Sequence, residues 1–105
     1  METIIHEVVR KHNAIQECFE GLRLDLCVIL GRKVYKYNRL QCKYNRYEVW
    51  WAFENDEEQE CRFSIELDVD KMTLSCDIDS FSWIHSAFWN MIVKEVERLN
   101  SKVII

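Results

Sequence analysis

The clearest pattern in the chain is a strict alternation of apolar and polar residues from Cys61 to Ile78. Successive side chains of a strand leave the backbone on opposite faces, so a period of two indicates a strand that is buried on one side only. The alternation has two arms and predicts a β-hairpin. Its predicted inner face consists of Cys61, Phe63, Ile65, Leu67, Val69, Met72, Leu74, Cys76 and Ile78.

Both ends of the chain show helical spacing instead. Residues 3–20 predict an amphipathic helix that ends at Gly21, a residue suited to the left-handed position after a helix. A second helix of roughly twenty residues is predicted after a cap at Asp79 or Ser80. Its apolar stripe comprises Ile84, Phe88, Ile92, Val96 and Leu99.

Three further strands are predicted between the first helix and the hairpin. Residues 22–30 alternate, with five apolar side chains on one face, and the Gly31–Arg32 pair then predicts a tight turn. Residues 33–43 carry polar side chains on both faces, which suits a strand at the edge of a sheet. Tyr44–Asn45 is a predicted turn, and residues 47–53 form the next strand.

This order predicts an α+β fold, α-β-β-β-β-β-α. A five-stranded antiparallel meander would have its apolar face covered by the N-terminal and the C-terminal helix, since these are the only elements that can bury it. The length of 105 residues suits a single domain over residues 1–105. The chain has no proline and two glycines, a composition that argues against a flexible linker.

Charge is unevenly distributed along a chain whose net charge is −4. Residues 32–46 contain six cations and no acid, whereas residues 54–79 contain ten acids and two cations. Clustered carboxylates favour encounter with a cationic protein, and an aromatic side chain inside a charged rim is a typical interface anchor. The predicted partner-binding residues are Glu48, Trp50, Glu54, Asp56, Glu57, Glu58, Glu60, Glu66 and Asp68.

The basic segment supports a different hypothesis, because cations bind phosphates and tyrosine rings stack on unpaired bases. A nucleic-acid-binding module would use Lys33, Tyr35, Lys36, Tyr37, Arg39, Lys43 and Arg46. The acidic half of the chain would repel nucleic acid, so this is the weaker alternative.

Motifs for catalysis are absent from the sequence. There is no glycine-rich phosphate loop, no nucleophile elbow and no paired histidines at metal-binding spacing. The five cysteines contain no C-x-x-C pair, which predicts no metal site and indicates reduced, structural thiols. We therefore expect no enzyme, no cofactor, no membrane span and a cytoplasmic location.

Size, acidity and missing catalytic groups together favour an inhibitor that works by binding. The leading hypothesis is an immunity protein or antitoxin that neutralises a basic, nuclease-type toxin by masking its active site or an exosite. A phage-type nuclease inhibitor would have the same features. A self-associating structural domain, paired as a homodimer through the edge strand or the apolar C-terminus, is the third possibility.

Overall fold

The computed structural model describes residues 2–79 and 82–103, and the side chains of residues 12–79 and 82–100. Within this part of the chain, two helices flank a four-stranded antiparallel sheet with the order β1-β2-β3-β4. The elements are α1 (Glu2–Leu30), β1 (Tyr35–Lys43), β2 (Arg46–Glu54), β3 (Glu60–Asp68), β4 (Thr73–Ile78) and α2 (Ser86–Val103). The α+β class is confirmed, but the prediction of five strands is wrong.

The missing strand is residues 22–30, which belong to α1. Every second residue of this segment is apolar, which matches the two-residue period of a strand. The same set contains leucines spaced four residues apart, which also matches the period of a helix. The structure follows the helical period: Leu24 and Val28, on the predicted apolar strand face, are 52% and 83% exposed. The buried stripe of α1 instead runs through Ile15, Phe19, Leu22, Leu26 and Leu30.

Glycine positions explain where α1 ends. Gly21 lies in the middle of the helix, so its predicted role as a cap is wrong. Gly31 ends the helix with a φ of +67°, a left-handed conformation that glycine adopts without steric cost. The N–H groups of Gly31 and Arg32 donate to the carbonyls of Val28 and Cys27, which is the Schellman arrangement. The predicted hairpin turn at Gly31–Arg32 is therefore a helix C-cap.

Both helices pack on the same face of the sheet. From α1, Phe19 meets Trp51 edge to face with ring centroids 6.3 Å apart. From α2, Phe88 meets Phe53 at 5.6 Å, and Ile92 is fully buried. Trp51 and Phe53 project from the same side of β2, so this inner face carries the aromatic core, and the other face is mainly polar apart from Trp50 and Ala52.

The β3–β4 hairpin has the predicted faces but a longer turn. Cys61, Phe63 and Ile65 are fully buried on the inner face, as the alternation predicted. Val69 and Met72, predicted to point inward from the strands, lie in the turn between them instead. Met72 has a φ of +50° and is half exposed.

The second helix begins later than predicted. Residues 82–85 are not helical, and α2 starts at Ser86. The ring Nδ1 of His85 accepts the N–H of Ala87 at 3.2 Å, so His85 occupies the capping position assigned to Asp79 or Ser80. Ser80 lies outside the described residues.

Candidate functional site: an acidic sheet face

The side of β2 and β3 that faces away from both helices carries most of the predicted partner-binding residues. We call it the outer sheet face. Its rungs, read along the two strands, are Arg46–Asp68, Glu48–Glu66, Trp50–Ser64, Ala52–Arg62 and Glu54–Glu60.

Two of these rungs place glutamates directly opposite each other. Glu48 faces Glu66, and Glu54 faces Glu60. Directly opposed residues have Cβ atoms about 5 Å apart, and like charges at that spacing destabilise a sheet. The register therefore brings two carboxylates together at each of these rungs.

Two neighbouring side chains contact the Glu48–Glu66 rung. The indole Nε1 of Trp50 donates to Glu48 Oε1 at 3.2 Å. Arg46 Nη1 lies 3.5 Å from Glu66 Oε1, a loose ion pair with an exposed cation. In this rung, Glu66 has a cationic partner and Glu48 has a neutral one.

In the Glu54–Glu60 rung, neighbouring side chains contact Glu60. Tyr35 Oη donates to Glu60 Oε2 at 2.7 Å, and Arg62 Nε lies 3.6 Å from Glu60 Oε1. Burial, followed by the hydrogen bond to Glu60, raises the pKa of Tyr35 to about 12. Glu54 is exposed, and its backbone carbonyl accepts a hydrogen bond from Arg32.

The acidic loop (residues 55–59) that joins β2 to β3 is built around Asn55. Its Oδ1 accepts the N–H groups of Glu57 and Gln59 at 2.9 and 3.0 Å, and its Nδ2 donates to Gln59 Oε1. Glu58 adopts a φ of +61° and donates its N–H to the Asn55 carbonyl. These bonds hold the acidic loop in one shape, in which Asp56, Glu57 and Glu58 are exposed.

Arg32 anchors one side of the acidic loop. Its guanidinium donates to the Glu54 carbonyl at 2.9 Å and to Asp56 Oδ1 at 2.6 Å. The same group lies over the ring of Phe88, 4.5 Å from the centroid. Asp56 is thus paired within the fold, whereas Glu57 and Glu58 remain exposed on the loop.

The predicted acidic site is divided between the two ends of the sheet. Glu54 and Glu60 lie at the loop end, while Glu66 and Asp68 lie about 20 and 26 Å away along the strands, at about 3.3 Å per residue. At that far end a cleft of about 750 Å³ is lined by residues of both signs. Its charged lining residues are Lys43, Arg46, Lys71, Glu48, Glu66, Asp68 and Asp70. The loop end is the more uniformly acidic of the two.

Trp50 lies between these ends, opposite Ser64 and next to Asn38 of β1. Its ring is half buried, and its indole nitrogen is turned toward Glu48. Ser64 beside it is only 5% exposed although it projects from the outer sheet face. Trp50 therefore contributes part of an aromatic side chain to the surface between the two ends.

The residues predicted for nucleic-acid binding do not gather on one surface. Lys36 pairs with Glu20 of α1 at 3.4 Å, on the inner side of the sheet. The hydroxyl of Tyr37 accepts a hydrogen bond from Arg62 at 2.8 Å, and the Arg62 guanidinium covers the Tyr37 ring. Lys33 and Arg39 are exposed. Lys43 lies 6.0 Å from the ring of Tyr44, and Arg46 and Tyr35 take part in the glutamate rungs described above.

Sequence reasoning missed three residues of the site. Arg62 lies on the outer sheet face beside the Glu54–Glu60 rung, 3.2 Å from Asp79, and the alternation already placed it on the polar side of the hairpin. Arg32 and Asn55 shape the acidic loop, but no local sequence pattern predicts that role because Arg32 is brought to the loop by the turn after α1.

Within the described residues, no three histidine, cysteine, aspartate or glutamate side chains are grouped so that they could hold a metal ion. Neither described helix has the length and hydropathy needed to cross a membrane. Comparison with protein-family models, curated proteins and solved structures yields no match to this chain.

Proposed function

We propose that this chain is a protein-binding inhibitor that docks a basic partner on the loop end of the outer sheet face. The supporting observation is the Glu54–Glu60 rung, where two carboxylates oppose each other beside the exposed Glu57 and Glu58. An arginine or lysine of a partner would replace repulsion by attraction at this rung. The acidic loop is already ordered by Asn55, so binding would cost little conformational entropy.

The proposed mode of action is steric and electrostatic masking. Carboxylates that face a cationic cleft compete with phosphates for the same arginines and lysines, and a nuclease so covered cannot bind its substrate. Trp50 would add apolar contact area beside the charged rim. The proposal therefore keeps the immunity-protein or antitoxin class, with a nuclease-type toxin as target and binding rather than catalysis as the activity.

A cytoplasmic site of action belongs to the same proposal. All five cysteines are free thiols, and Cys61 and Cys76 belong to the apolar core, where they behave as small hydrophobic residues. Free thiols suit a reducing compartment.

Affinity capture with three immobilised baits tests the proposal. The baits are the native chain, the triple variant Glu54→Lys, Glu57→Lys, Glu58→Lys, and the matched control Lys33→Glu, Arg39→Glu, Lys43→Glu. We expect the native and control baits to retain the same basic protein, and the acidic-site variant to bind it about a hundredfold more weakly. Recovered nucleic acid that is lost only from the control bait would instead support the nucleic-acid alternative.

Trp50→Ala separates docking from general charge attraction. If Trp50 is an anchor, the captured protein dissociates faster from this variant while its association rate is unchanged, because rim charges govern encounter and buried contacts govern residence. Surface plasmon resonance measures both rates. Circular dichroism verifies that the variant keeps its sheet.

A further inference from the structure

A cavity of about 510 Å³ lies on the inner side of the sheet, between α1 and the edge strand β1. We call it the β1 pocket. Its volume falls within the range of pockets that hold small molecules, about 300–1,000 Å³. Buried apolar side chains form its floor: Phe19 of α1 and Val49 and Trp51 of β2. The sheet separates this pocket from the outer sheet face, so a ligand bound here would not touch the surface assigned to the basic partner.

Irregular pairing of β1 with β2 turns two cations toward the β1 pocket. Lys36 pairs with Trp51 and therefore lies on the inner face. Further along β1 the pairing shifts, so that Arg39 and Leu40 together oppose the single inner residue Val49. In a regular strand, consecutive residues point to opposite faces, whereas a bulge re-aims a side chain and is frequent beside functional sites. As a result, Arg39 and Leu40 both line the pocket.

The facing wall of the pocket is a polar side of α1. Asn13, Gln16 and Glu20 line it, at spacings of three and four residues that place them on one side of the helix. The amides of Asn13 and Gln16 can donate hydrogen bonds to a bound anion. The pocket thus combines an apolar floor with polar groups that converge from two walls, which is the usual composition of a small-molecule site.

The charge around the β1 pocket is positive, although the net charge of the chain is −4. Glu20 binds two cations at once: Lys36 Nζ lies 3.4 Å from its Oε2, and Arg23 donates two hydrogen bonds to its carboxylate. Together with Arg39, three cations stand against the carboxylates of Glu17 and Glu20. Within the described part of the chain, Arg39 takes part in no ion pair, so its guanidinium is available to a ligand.

We propose that the β1 pocket binds a small amphipathic anion, a molecule with an apolar body and one carboxylate or phosphate group. The anionic group lies at Arg39, because a guanidinium can form two parallel hydrogen bonds with either group. The apolar body covers Leu40 and points toward the floor at Trp51. A cationic ligand of the same size would meet the excess positive charge and leave Arg39 without a partner.

Titration with anilinonaphthalene sulfonate tests this inference, because the dye has an aromatic body and one anionic group and fluoresces in apolar surroundings. For the native chain we expect a dissociation constant on the order of 100 µM. Arg39→Ala should raise that constant about tenfold. Lys43→Ala removes a cation of the same strand that lines the cleft at the far end of the outer sheet face, so it should leave the constant unchanged. Equal effects of the two variants overturn the inference, since net charge alone would then explain them.

An added carboxylate provides a second criterion. Gln16→Glu places a negative charge on the α1 wall without changing the size of the side chain, so it should weaken dye binding about threefold. The same replacement at Gln41, which lines the far-end cleft, is the matched control and should have no effect. A native chain that binds no dye up to about 1 mM overturns the inference.

Competition identifies the anionic group. Phenyl phosphate, phenylacetate and phenethylamine share a ring and differ in carrying a phosphate, a carboxylate or a cation. We expect the anions to displace the dye, and the stronger competitor shows which group the pocket prefers. Displacement by phenethylamine at the same concentration overturns the inference.

Backbone amide shifts in NMR spectra locate the bound dye. We expect shifts at Asn13, Gln16 and Leu40. A second cleft, between Leu22 of α1 and Leu99 of α2, is apolar and also open to a dye. Shifts confined to that cleft would overturn the inference even though the dye binds.

Discussion

The side-chain amide of Asn100 pairs with the backbone of Leu74 in both directions. The N–H of Leu74 donates to Asn100 Oδ1 at 2.7 Å, and Asn100 Nδ2 donates to the Leu74 carbonyl at 2.8 Å. Leu74 belongs to β4, an edge strand of the sheet, whose free backbone groups would otherwise point to solvent. One residue of α2 therefore takes the place of a neighbouring strand and fastens the helix to the sheet.

Replacing Asn100 by alanine should lower the free energy of unfolding by about 1–3 kcal/mol, because two partly buried backbone groups lose their partner. The exposed strand edge should also promote aggregation. Urea denaturation and light scattering measure the two effects. Asn90→Ala, an exposed asparagine of the same helix, is the matched control and should change neither. Equal behaviour of the two variants would contradict the role given to Asn100.

The two glycines should respond to alanine with opposite signs. Gly21→Ala should stabilise the fold by about 1 kcal/mol, since it removes a mid-helix glycine and the new Cβ meets no atom within 4 Å. Gly31→Ala should destabilise it by about 1–2 kcal/mol, because alanine is strained at a φ of +67°. Chemical denaturation of dilute protein compares them. Destabilisation by Gly21→Ala would show that residues 2–30 do not form one continuous helix.

Removing one carboxylate from the loop-end rung should stabilise the sheet while weakening partner binding. Glu54→Gln removes the repulsion with Glu60, so we expect a gain of about 0.2–1 kcal/mol in unfolding free energy. The control Glu57→Gln, in the acidic loop, should leave stability unchanged and still weaken binding. Thermal denaturation supplies the test, and a loss of stability in Glu54→Gln would mean that the fold itself neutralises this carboxylate.

Tyr35 should confer stability that is lost in alkali. Burial and the bond to Glu60 raise its pKa from 10.0 to about 12, so the folded state holds the phenolic proton more tightly than the unfolded state. This contribution is complete below pH 10 and disappears as the pH rises from 10 to 12. Tyrosinate absorbance measures the titration. Tyr35→Phe should lack the component near 12, and Glu60→Gln should lower that pKa only in part, because burial is the larger cause.

The two-residue period of the strands predicted which side chains of the candidate site share a face. Alternation along β2 and β3 placed Glu48, Trp50 and Glu66 on one face, because neighbouring strand residues point in opposite directions. The alternation does not give the pairing register of the two strands. The two glutamate rungs and the roles of Arg46 and Arg62 could therefore be identified only from the folded sheet. Register depends on which strands meet, and a single strand carries no such information.

By itself, the sequence determined the elements whose period is unambiguous: the β3–β4 hairpin, the apolar stripe of α2 and the polar β1 edge. Residues 22–30 were different, because Leu22, Leu26 and Leu30 fit a strand face and a helix stripe equally well. Only tertiary packing distinguished the two. As a helix, this segment extends the stripe that buries Phe19 against Trp51, whereas a fifth strand would have left the inner face of the sheet short of its cover.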